Sequence, residues 1–561
     1  MGFNGKFLFN NLENNIKSNK EIFIDSNFEL KIGKKNKFIN DRLFFEYNNK
    51  IFLLDGVILN NHELEMEYKI NNWQDTFIKI YKEDNFNFLN KLRGSFCGII
   101  YDKIKKELIL FTDQLKSKNI YYTMLKDEFI FSTNLSELAM LNKSKNVLDE
   151  DAAYLLLTFG GTLEERTLFE NIKKLNFATF LKVDFNKKIF QNQYWMFKNT
   201  EDYTITKEKA IEEIERLFRK AIKREYDKDL EYGYSHLVEL SAGRDSRMNT
   251  WVAHEMGYQN DILNITFSES DELDEKIPKQ IAKKLKHEWL FKALDNGNCC
   301  YNIEEIIKIT CGEIHYGTVC HANGMMKELN YNNYGILHTG LMGDVVIGVF
   351  GDNKKKLMLN NLKYCYSKKL LNKIFIKKDI IKNFYSNEEI FNYINRGLHV
   401  TNESSILWPE QNIISPFLDI DLLTFCLKIP YHIRKGNFLY DTWIKKKYPE
   451  AAKYSHNGRK IGIKEFDILG RSVPMNQIIS RIFKKIKLLK REKGMNPFDE
   501  WYKTNDKLKI IFDEYYKKNI TRLNNYKELQ KDCKDLYIKG TAREKAQVIG
   551  LLGTLKLYFI N

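Results

Sequence analysis

The chain has 561 residues and a mass of 66.6 kDa, and 43% of its residues are hydrophobic. This apolar content excludes bulk disorder, and 7 Pro with 29 Gly exclude a collagen-like or Pro-rich linker protein. The length predicts at least two domains. We expect a cytoplasmic protein, because no stretch reaches the roughly 18 apolar residues of a membrane span and no signal-peptide core is present. The eight Cys also lack disulfide-framework spacing.

The net charge is +15, and most of it lies in the last third of the chain. A basic segment of this kind suits a pocket for an anionic substrate, a nucleic-acid surface, or Lys-rich helices in solvent. We favour solvated helices, because Lys, Asn and Ile are frequent throughout the sequence. Nucleic-acid binding is therefore not the primary expectation.

The first 197 residues show short β-rich runs separated by turn residues, which predicts a layered α+β domain. Two helices are expected among them, at His62–Ile70 and Trp73–Glu83. The clearest strands are Phe52–Leu59, Phe96–Tyr101, Glu107–Phe111, Ile120–Thr123 and Phe129–Ser132. A linker is expected at Phe197–Thr204.

Residues 205–561 change to strands that alternate with helices, which predicts a parallel α/β sheet. A helix at Lys207–Tyr226 opens this region, and Arg481–Lys493 is a basic helical run near its end. The alternating pairs are Leu237–Leu240 with Arg247–Met256, Leu263–Phe267 with Lys276–Leu285, and Gly335–His338 after Met325–Leu329.

The strongest local signal is the loop between the first of these strands and its helix. Small residues such as Gly243 let backbone N–H groups close on an anion, and the helix N-terminus favours negative charge. The hydroxyls of Ser241 and Ser246 can bond phosphate oxygens, and Asp245 can hold Mg²⁺. The Gly-Lys-Ser/Thr ending of a Walker A loop is absent. The loop reads Leu240-Ser241-Ala242-Gly243-Arg244-Asp245-Ser246-Arg247.

This loop resembles the Ser-Gly-Gly-x-Asp-Ser pyrophosphate loop (PP-loop) of the ATP pyrophosphatase superfamily, with Ala242 in place of one Gly. Four further blocks follow in the order found in the asparagine synthetase family. They are Asn264–Phe267 with Ser268–Asp274, Leu337–Asp344, Ser415–Asp419 followed by Ile429-Pro430, and Asn457–Gly462. Residues 50–122 resemble the same family's glutamine amidotransferase domain. The resemblance covers most of residues 50–465 and leaves the last ~95 residues uncovered.

The resemblance implies an Ntn-hydrolase-like β-sandwich over residues 1–197 and an adenine-nucleotide α-hydrolase-like domain over residues 205–561. It implies an ATP- and Mg²⁺-dependent ligase that adenylates a carboxylate and passes the acyl group to ammonia or an amine. On this basis ATP meets Leu240, the 241–246 loop, Phe267, Thr339 and Gly340. Asp245 and Asp344 hold the metal ion, while Lys460, Arg244 and Arg247 meet the pyrophosphate.

Several departures from the family pattern predict that glutamine is not hydrolysed. Gly2 stands where the family's catalytic Cys is expected, and the first Cys is Cys97, inside a strand. Asp55 and Arg93 replace the family's Asn and Asp. Without a thiolate no thioester can form. In the synthetase half, Leu341 replaces a Glu, and an aliphatic side chain can neither accept a proton nor bind ammonium.

Alternatives remain open at this point. The carboxylate and the nitrogen nucleophile are not identified, so a peptide or β-lactam-type cyclase and a sugar-acid amidating enzyme are possible outcomes. Two other classes are an RNA-directed PP-loop enzyme and a non-catalytic scaffold. The Cys- and His-containing segment from Cys299 to His321 lacks the C-x₂-C spacing of a zinc site, so we expect no zinc there. The sequence does not indicate an oligomeric state.

Overall fold

A computed structural model describes most of the chain, and all structural statements concern this part. The described residues are 2–9, 17–18, 21–33, 37–141, 143–351, 365–375, 387–399, 406, 411–455, 465–468, 471–474 and 495–560.

The N-terminal region is built from two antiparallel sheets that contain thirteen strands in the described residues. One sheet has the order β11-β9-β10-β1-β4-β3-β2 and the other the order β13-β12-β8-β7-β6-β5. The strands are β1 (Phe3–Leu8), β2 (Lys17–Ser18), β3 (Ile22–Ile24), β4 (Phe28–Ile32), β5 (Leu43–Tyr47), β6 (Lys50–Ile58), β7 (Gly94–Asp102), β8 (Glu107–Thr112), β9 (Tyr121–Met124), β10 (Glu128–Ser132), β11 (Lys173–Lys174), β12 (Thr179–Asp184) and β13 (Ile189–Gln193).

Apolar side chains fill both faces of the six-stranded sheet. Phe7, Phe28 and Cys97 belong to the core between the two sheets. The opposite face packs on α1 (Asn61–Tyr68) and α2 (Trp73–Asp84) through residues such as Phe77. Helix α3 (Leu135–Leu141) contacts β9 and β10, and α4 (Glu150–Phe159) follows it in the chain. Because strands buried on one or both faces need such cover, the region is a sandwich with helices outside.

The second region contains a five-stranded, wholly parallel sheet with the order β16-β15-β14-β17-β18. The strands are β14 (Ser235–Glu239), β15 (Ile262–Ser268), β16 (Glu288–Ala293), β17 (Tyr334–His338) and β18 (Ile413–Ile414). Helix α5 (Lys207–Glu231) precedes this sheet. The helices between its strands are α6 (Arg244–Glu255), α7 (Leu273–Leu285), α8 (Ile303–Thr310), α9 (Tyr316–Met326), α10 (Gly343–Val346), α11 (Leu371–Phe375) and α12 (Glu388–Asn392).

In the described residues after β18, the regular elements are helices and one short hairpin. The elements are α13 (Ile420–Lys428), α14 (Tyr431–Arg434), α15 (Phe438–Lys447), α16 (Pro449–Ala452), β19 (Glu465–Ile468), β20 (Arg471–Pro474), α17 (Phe498–Thr504), α18 (Asp506–Asn519), α19 (Lys527–Lys539) and α20 (Ala542–Tyr558). The last helices contact both regions: Gln547 Nε2 donates to the Leu156 carbonyl at 2.5 Å, and α20 also packs on α8 and α9. The C-terminal segment therefore ties the two regions together.

The predicted parallel sheet, the five N-terminal strands and the two early helices are confirmed, with shifts of at most two residues at their ends. Helix α6 begins at Arg244 rather than Arg247, because Gly243 adopts an extended conformation and starts the helix directly. Strand β16 was not predicted, since it is a half-exposed edge strand in which charged residues interrupt the apolar pattern. The basic run Arg481–Lys493 lies outside the described residues. In the part that is described, we find no helix that could span a membrane.

Candidate active site

The parallel sheet reverses its strand order between β14 and β17. β15 and β16 lie on one side of β14, while β17 and β18 lie on the other. In sheets of this kind, the loops that leave two such strands diverge and open a crevice at their carboxyl ends, where ligands bind. Residues 240–243 and 339–342 are these two loops. The geometry of the sheet therefore brings two of the predicted blocks to one site.

The first loop is held in a compact turn by its own side chains. Ser246 Oγ accepts a hydrogen bond from the Ser241 N–H at 2.9 Å, and Ser241 Oγ accepts one from the Gly243 N–H at 3.1 Å. The Ala242 N–H donates to Asp274 at 2.9 Å. Because these are N–H groups at a helix N-terminus, the turn has the donors that an anion needs.

The neighbouring strand end is fixed to this loop. Thr266 Oγ1 donates to the Leu240 carbonyl at 2.6 Å, and the Leu240 N–H donates to the Ile265 carbonyl at 2.9 Å. Phe267 follows directly in β15. The predicted adenine-binding position therefore lies beside the predicted phosphate loop.

The second loop approaches the start of α6 so closely that it requires glycine. A Cβ atom at Gly340 would overlap the backbone nitrogen of Ser246, and one at Gly343 would press on the Asp245 carboxylate. Met342 adopts a left-handed conformation with φ 71°, at a position where the resembling motif has Gly. Thr339 is buried and its N–H donates to the Ile414 carbonyl at 2.9 Å. The loop is thus pinned between β18 and α6.

Two carboxylates meet where the loops converge. The Asp344 N–H donates to Asp245 Oδ2 at 2.9 Å, while Asp245 Oδ1 is buried and has no hydrogen-bond partner in the described structure. Burial, together with the charge of Asp344, raises the pKa of Asp245. A buried carboxylate oxygen without a donor is costly unless a cation or donor completes it. The pair therefore fits Mg²⁺, which prefers oxygen ligands.

The two arginines of the loop differ in their surroundings. Arg244 forms an ion pair with Asp441 at 2.5 Å and lies over the Tyr440 ring. Arg247 is fully buried, and its guanidinium donates to backbone carbonyls that include Tyr454 at 2.8 Å and Ser455 at 2.7 Å. Because Arg247 is engaged by the fold, Arg244 is the better placed of the two to meet a phosphate.

The remaining predicted blocks have different outcomes. Residues 416–418 form a single 3₁₀ turn after β18, and Asp419 caps α13 by accepting the Asp421 N–H at 2.9 Å. This block therefore borders the second loop. Lys460 and the rest of Asn457–Gly462 lie outside the described residues, so their predicted role stays a prediction.

The N-terminal region contains a cavity of about 400 Å³ lined by Gly2, Asp55, Lys118 and Thr133 on one side. A Cβ atom at Gly2 would overlap Thr133 Oγ1, and Gly2 has a φ of +100°, which disfavours any side chain. Asp55 is bound by Arg42, with Nη2 of Arg42 at 2.6 Å from Asp55 Oδ1.

Cys97 of this region is buried in its core, and Arg93 is paired with a residue of the second region. Cys97 is fully buried between the two sheets, and burial raises the pKa of its thiol well above the usual value. Arg93 forms an ion pair with Asp421 of the second region at 2.8 Å. A buried thiol with a raised pKa is a poor nucleophile.

A second, smaller cavity of about 60 Å³ lies between the two regions and shares Ser95, Ser117 and Ile413 with the first. Leu341 of the second loop lines it. Its wall also contains Glu225, which belongs to α5. This cavity therefore adjoins the candidate nucleotide site.

Sequence reasoning missed a buried polar cluster behind this cavity. Glu225 and Asp229 of α5 contact His338, and Asp229 also contacts His236. The available signal was the placement of two carboxylates four residues apart on the apolar face of α5. In the Cys299–His321 segment, no three described side chains place their ligand atoms close enough together to hold one metal ion.

Comparisons with known proteins find one matching domain and several distant relatives. Residues 40–195 match the family model of the glutamine amidotransferase domain. The chain is 26% identical over 256 residues to the protein named "Putative asparagine synthetase (glutamine-hydrolyzing) 2" of Methanocaldococcus jannaschii, covering 44% of this chain and 49% of that protein. It is 23% identical over 232 residues to asparagine synthetase (glutamine-hydrolyzing) 2 of Bacillus subtilis, covering 38% and 30%.

The chain thus spans about half or less of the length of these relatives. Among solved structures, the allosteric regulatory enzyme of purine biosynthesis matches 52% of this chain and 74% of its own, at 9% identity and a TM-score of 0.24. That score is too low to support an argument about the fold. The chain is thus similar to the glutamine amidotransferase domain over residues 40–195 and, at 23–26% identity, to proteins named as asparagine synthetases.

Proposed function

We propose that the protein is an ATP-dependent ligase that forms an amide bond by adenylating a carboxylate and releasing pyrophosphate. The nitrogen nucleophile is ammonia or an amine, and it is not obtained from glutamine. The observation that carries this proposal is a hydrogen bond between the two loops at the switch point of the parallel sheet. There the Asp344 N–H donates to Asp245 Oδ2 at 2.9 Å.

The first loop would receive the phosphates of ATP through its backbone N–H groups and the hydroxyls of Ser241 and Ser246. Rotation of Ser246 Oγ away from the Ser241 N–H would free one of these donors for a phosphate oxygen. Adenine would lie toward Phe267 and the ribose toward Gly340, where the absence of a side chain leaves room for the close approach of the two loops. These positions orient the α-phosphate toward the crevice.

Asp245 and Asp344 would hold Mg²⁺, which when bound neutralises charge on the phosphates. Arg244, at the N-terminus of α6, adds positive charge beside the loop. Lys460 is proposed from the sequence to stabilise the charge that develops on the departing pyrophosphate. The retention of Asp245 and Asp344 side by side at the strand ends also argues against a scaffold that has lost its chemistry.

The proposal that glutamine is not used follows from the N-terminal region. Cys97 is the one cysteine between residues 2 and 298, and it is sealed between two sheets. The space that a side chain at residue 2 would need is occupied by Thr133. Free ammonia or a primary amine is therefore the proposed nitrogen source.

The proposal is tested by exchange of labelled pyrophosphate into ATP, measured with Mg²⁺ over a panel of amino acids, sugar acids and peptide carboxylates. At least one acid should support exchange, and addition of ammonium chloride or a primary amine should then yield AMP rather than ADP. Exchange should be absent in Asp245→Asn. Formation of ADP and inorganic phosphate with an active acid would refute adenylation.

A further inference from the structure

Helix α5 presents a carboxylate to the 60 Å³ cavity beside the nucleotide loops. Glu225 is 1% exposed and lines this cavity together with Leu341 and Ser415. Ser415 Oγ donates to the Leu341 carbonyl at 2.9 Å, which ties the cavity wall to the loop that carries Asp344. The carboxylate of Glu225 therefore lies next to the site where we propose that the acyl adenylate forms.

The other two carboxylates in the cavity wall are already committed. Asp113 accepts backbone N–H groups from Leu115 and Ser117 as well as the Ser117 hydroxyl. Asp419 caps α13 and binds Arg224 at 2.8 Å. Within the described part of the chain, His338 is the one hydrogen-bond partner of the Glu225 side chain. Glu225 thus retains accepting capacity that faces the cavity.

His338 is held between two carboxylates. Its Nδ1 lies 3.2 Å from Glu225 Oε2, and its Nε2 lies 2.8 Å from Asp229 Oδ2. When Glu225 and Asp229 are both ionised, both ring nitrogens of His338 donate and the ring is an imidazolium. Asp229 is in turn fixed by the His236 ring at 2.9 Å and by the Ile336 N–H at 2.7 Å. These four side chains, Glu225, His338, Asp229 and His236, form a buried series of contacts that runs from the cavity to the centre of the sheet.

Apart from Glu225 and the committed Asp113 and Asp419, the described residues of the cavity wall include no carboxylate or histidine. Its aliphatic residues are Leu59, Leu115, Leu341, Ile413, Ile414, Leu418 and Ile420. Its volume exceeds the roughly 10–15 Å³ that one water molecule needs, so it has room for ammonia or the amino group of a small amine. A nitrogen that attacks an acyl group must lose a proton, and Leu341 offers no base.

We propose that Glu225, supported by His338 and Asp229, is the proton acceptor for the nitrogen nucleophile in the amide-forming step. This inference rests on the proposed function. As the nitrogen attacks, the C–N bond forms and the C–O bond to AMP breaks, with its electron pair leaving on the AMP phosphate. One proton passes from the nitrogen to Glu225, and no oxidant or reductant is required.

The electrostatics of the cluster agree with this role. Burial raises the pKa of Glu225 to about 7, against the opposing effect of His338, while Asp419 and Asp229 add to the rise. Burial opposes the charge of His338, but Asp229 and Glu225 outweigh it and raise the pKa of His338 to about 9. A general base with a pKa near the working pH is effective, because it is ionised and still accepts a proton.

The test separates the two half-reactions in Glu225→Gln. With an acid that supports exchange in the unaltered protein, pyrophosphate exchange should stay within about threefold, since adenylation does not use Glu225. Amide formation from ammonium chloride should fall by roughly 10²–10⁴-fold, the usual contribution of a general base. Glu313→Gln is the control, because Glu313 is an equally buried carboxylate that binds Tyr121 and Lys174. Both of its half-reactions should be unchanged.

A rescue variant and a pH profile exclude a purely structural role. Leu341→Glu, added to Glu225→Gln, returns a carboxylate to the same cavity and should recover at least tenfold of the lost amide formation. The amide-forming rate, divided by the concentration of free ammonia at each pH, should rise through about pH 7 in the unaltered protein and should not rise in Glu225→Gln.

Three outcomes would overturn the inference. Amide formation could be unaffected by Glu225→Gln, both half-reactions could fall together without rescue, or the pH profiles could coincide. If no acid supports exchange in the unaltered protein, the proposed function itself fails and this inference fails with it. Normal exchange with an unaffected Glu225→Gln would refute this inference alone.

Discussion

The backbone N–H of Asp344 donates to Asp245 Oδ2 at 2.9 Å, although the two residues are 99 positions apart in the chain. The hydrogen bond joins the loop after β14 to the loop after β17 across the point where the strand order reverses. Two carboxylate residues are thereby placed together, and the Oδ1 atom of Asp245 is buried without a hydrogen-bond partner in the described residues. Such an arrangement is unfavourable for stability alone and is typical of sites that bind a metal ion.

Replacing either carboxylate should therefore remove metal-linked nucleotide binding. In Asp245→Asn and in Asp344→Asn, titration calorimetry should show at least tenfold weaker Mg²⁺-dependent binding of ATP, because an amide does not neutralise the cation. Asp227→Asn is the control, because Asp227 is a partly exposed residue of α5 that pairs with Lys223, and this variant should bind normally. Wild-type affinity in both variants would place the metal site elsewhere.

The close approach of the two loops gives a steric prediction. Gly340→Ala should weaken ATP binding by at least tenfold, because the new methyl group would overlap the Ser246 nitrogen at the start of α6. The matched control is Gly324→Ala inside α9, where the nearest atom to a Cβ is the Cys299 side chain at 3.5 Å. This variant should bind ATP normally and gain up to about 1 kcal/mol of stability, since Ala favours a helix over Gly. Equal effects of the two substitutions would contradict the proposed geometry.

We expect no glutaminase activity. Incubation with glutamine, ATP and Mg²⁺ should release no glutamate above a heat-inactivated sample, because the Cys97 thiol is buried and its pKa is raised. Gly2→Cys should remain inactive, since Thr133 occupies the space that the new side chain needs. Robust glutamate release by the unaltered protein would show that a nucleophile other than Cys97 acts on glutamine.

Lys460 tests the part of the site that lies outside the described residues. If its ammonium meets charge that grows as the α–β phosphate bond breaks, Lys460→Ala should lower pyrophosphate exchange by roughly 10²–10³-fold. The affinity for ATP should change far less. Arg459→Ala is the neighbouring control, and a surface lysine without a role predicts exchange within about twofold. Unchanged exchange in Lys460→Ala would remove this loop from the active site.

The buried His338 predicts a pH-dependent stability. Its pKa is raised from 6.5 in the reference state to about 9 by Asp229 and Glu225 of α5, while His236 of β14 and the stacked Tyr226 complete its surroundings. A raised histidine pKa contributes stability that is complete below pH 6.5 and is lost as the pH rises through 9. The melting temperature should therefore fall over this interval, and His338→Gln should flatten the fall. The exposed His62→Gln should not, and identical slopes in both variants would contradict the assignment.

Sequence patterns captured the sheet and the nucleotide loops because these depend on local features. Apolar strands alternate with amphipathic helices, and the turn after β14 is built from small residues whose conformational needs are visible in the chain. The prediction that Asp245 and Asp344 lie together came from the family resemblance and not from their spacing in the sequence. Strand order, which places them together, is a long-range property.

The polar cluster at Glu225 could not be predicted in the same way. Glu225 and Asp229 interrupt the apolar face of α5, but only the tertiary structure brings His338 and His236 against them. Arg247 illustrates the opposite case. A basic residue beside a phosphate loop suggested an anion ligand, whereas the fold directs its guanidinium to backbone carbonyls of the segment after α16.

Transfer of oxygen from the carboxylate to AMP tests the central claim most directly. With the acid that supports pyrophosphate exchange labelled with ¹⁸O in its carboxylate, and with ammonium chloride or the matching amine present, mass spectrometry of the AMP decides the chemistry. Adenylation predicts one ¹⁸O atom in the AMP phosphate for each amide formed, with no label in pyrophosphate, and loss of both products in Asp245→Asn. Unlabelled AMP, or label in inorganic phosphate released together with ADP, would contradict the account.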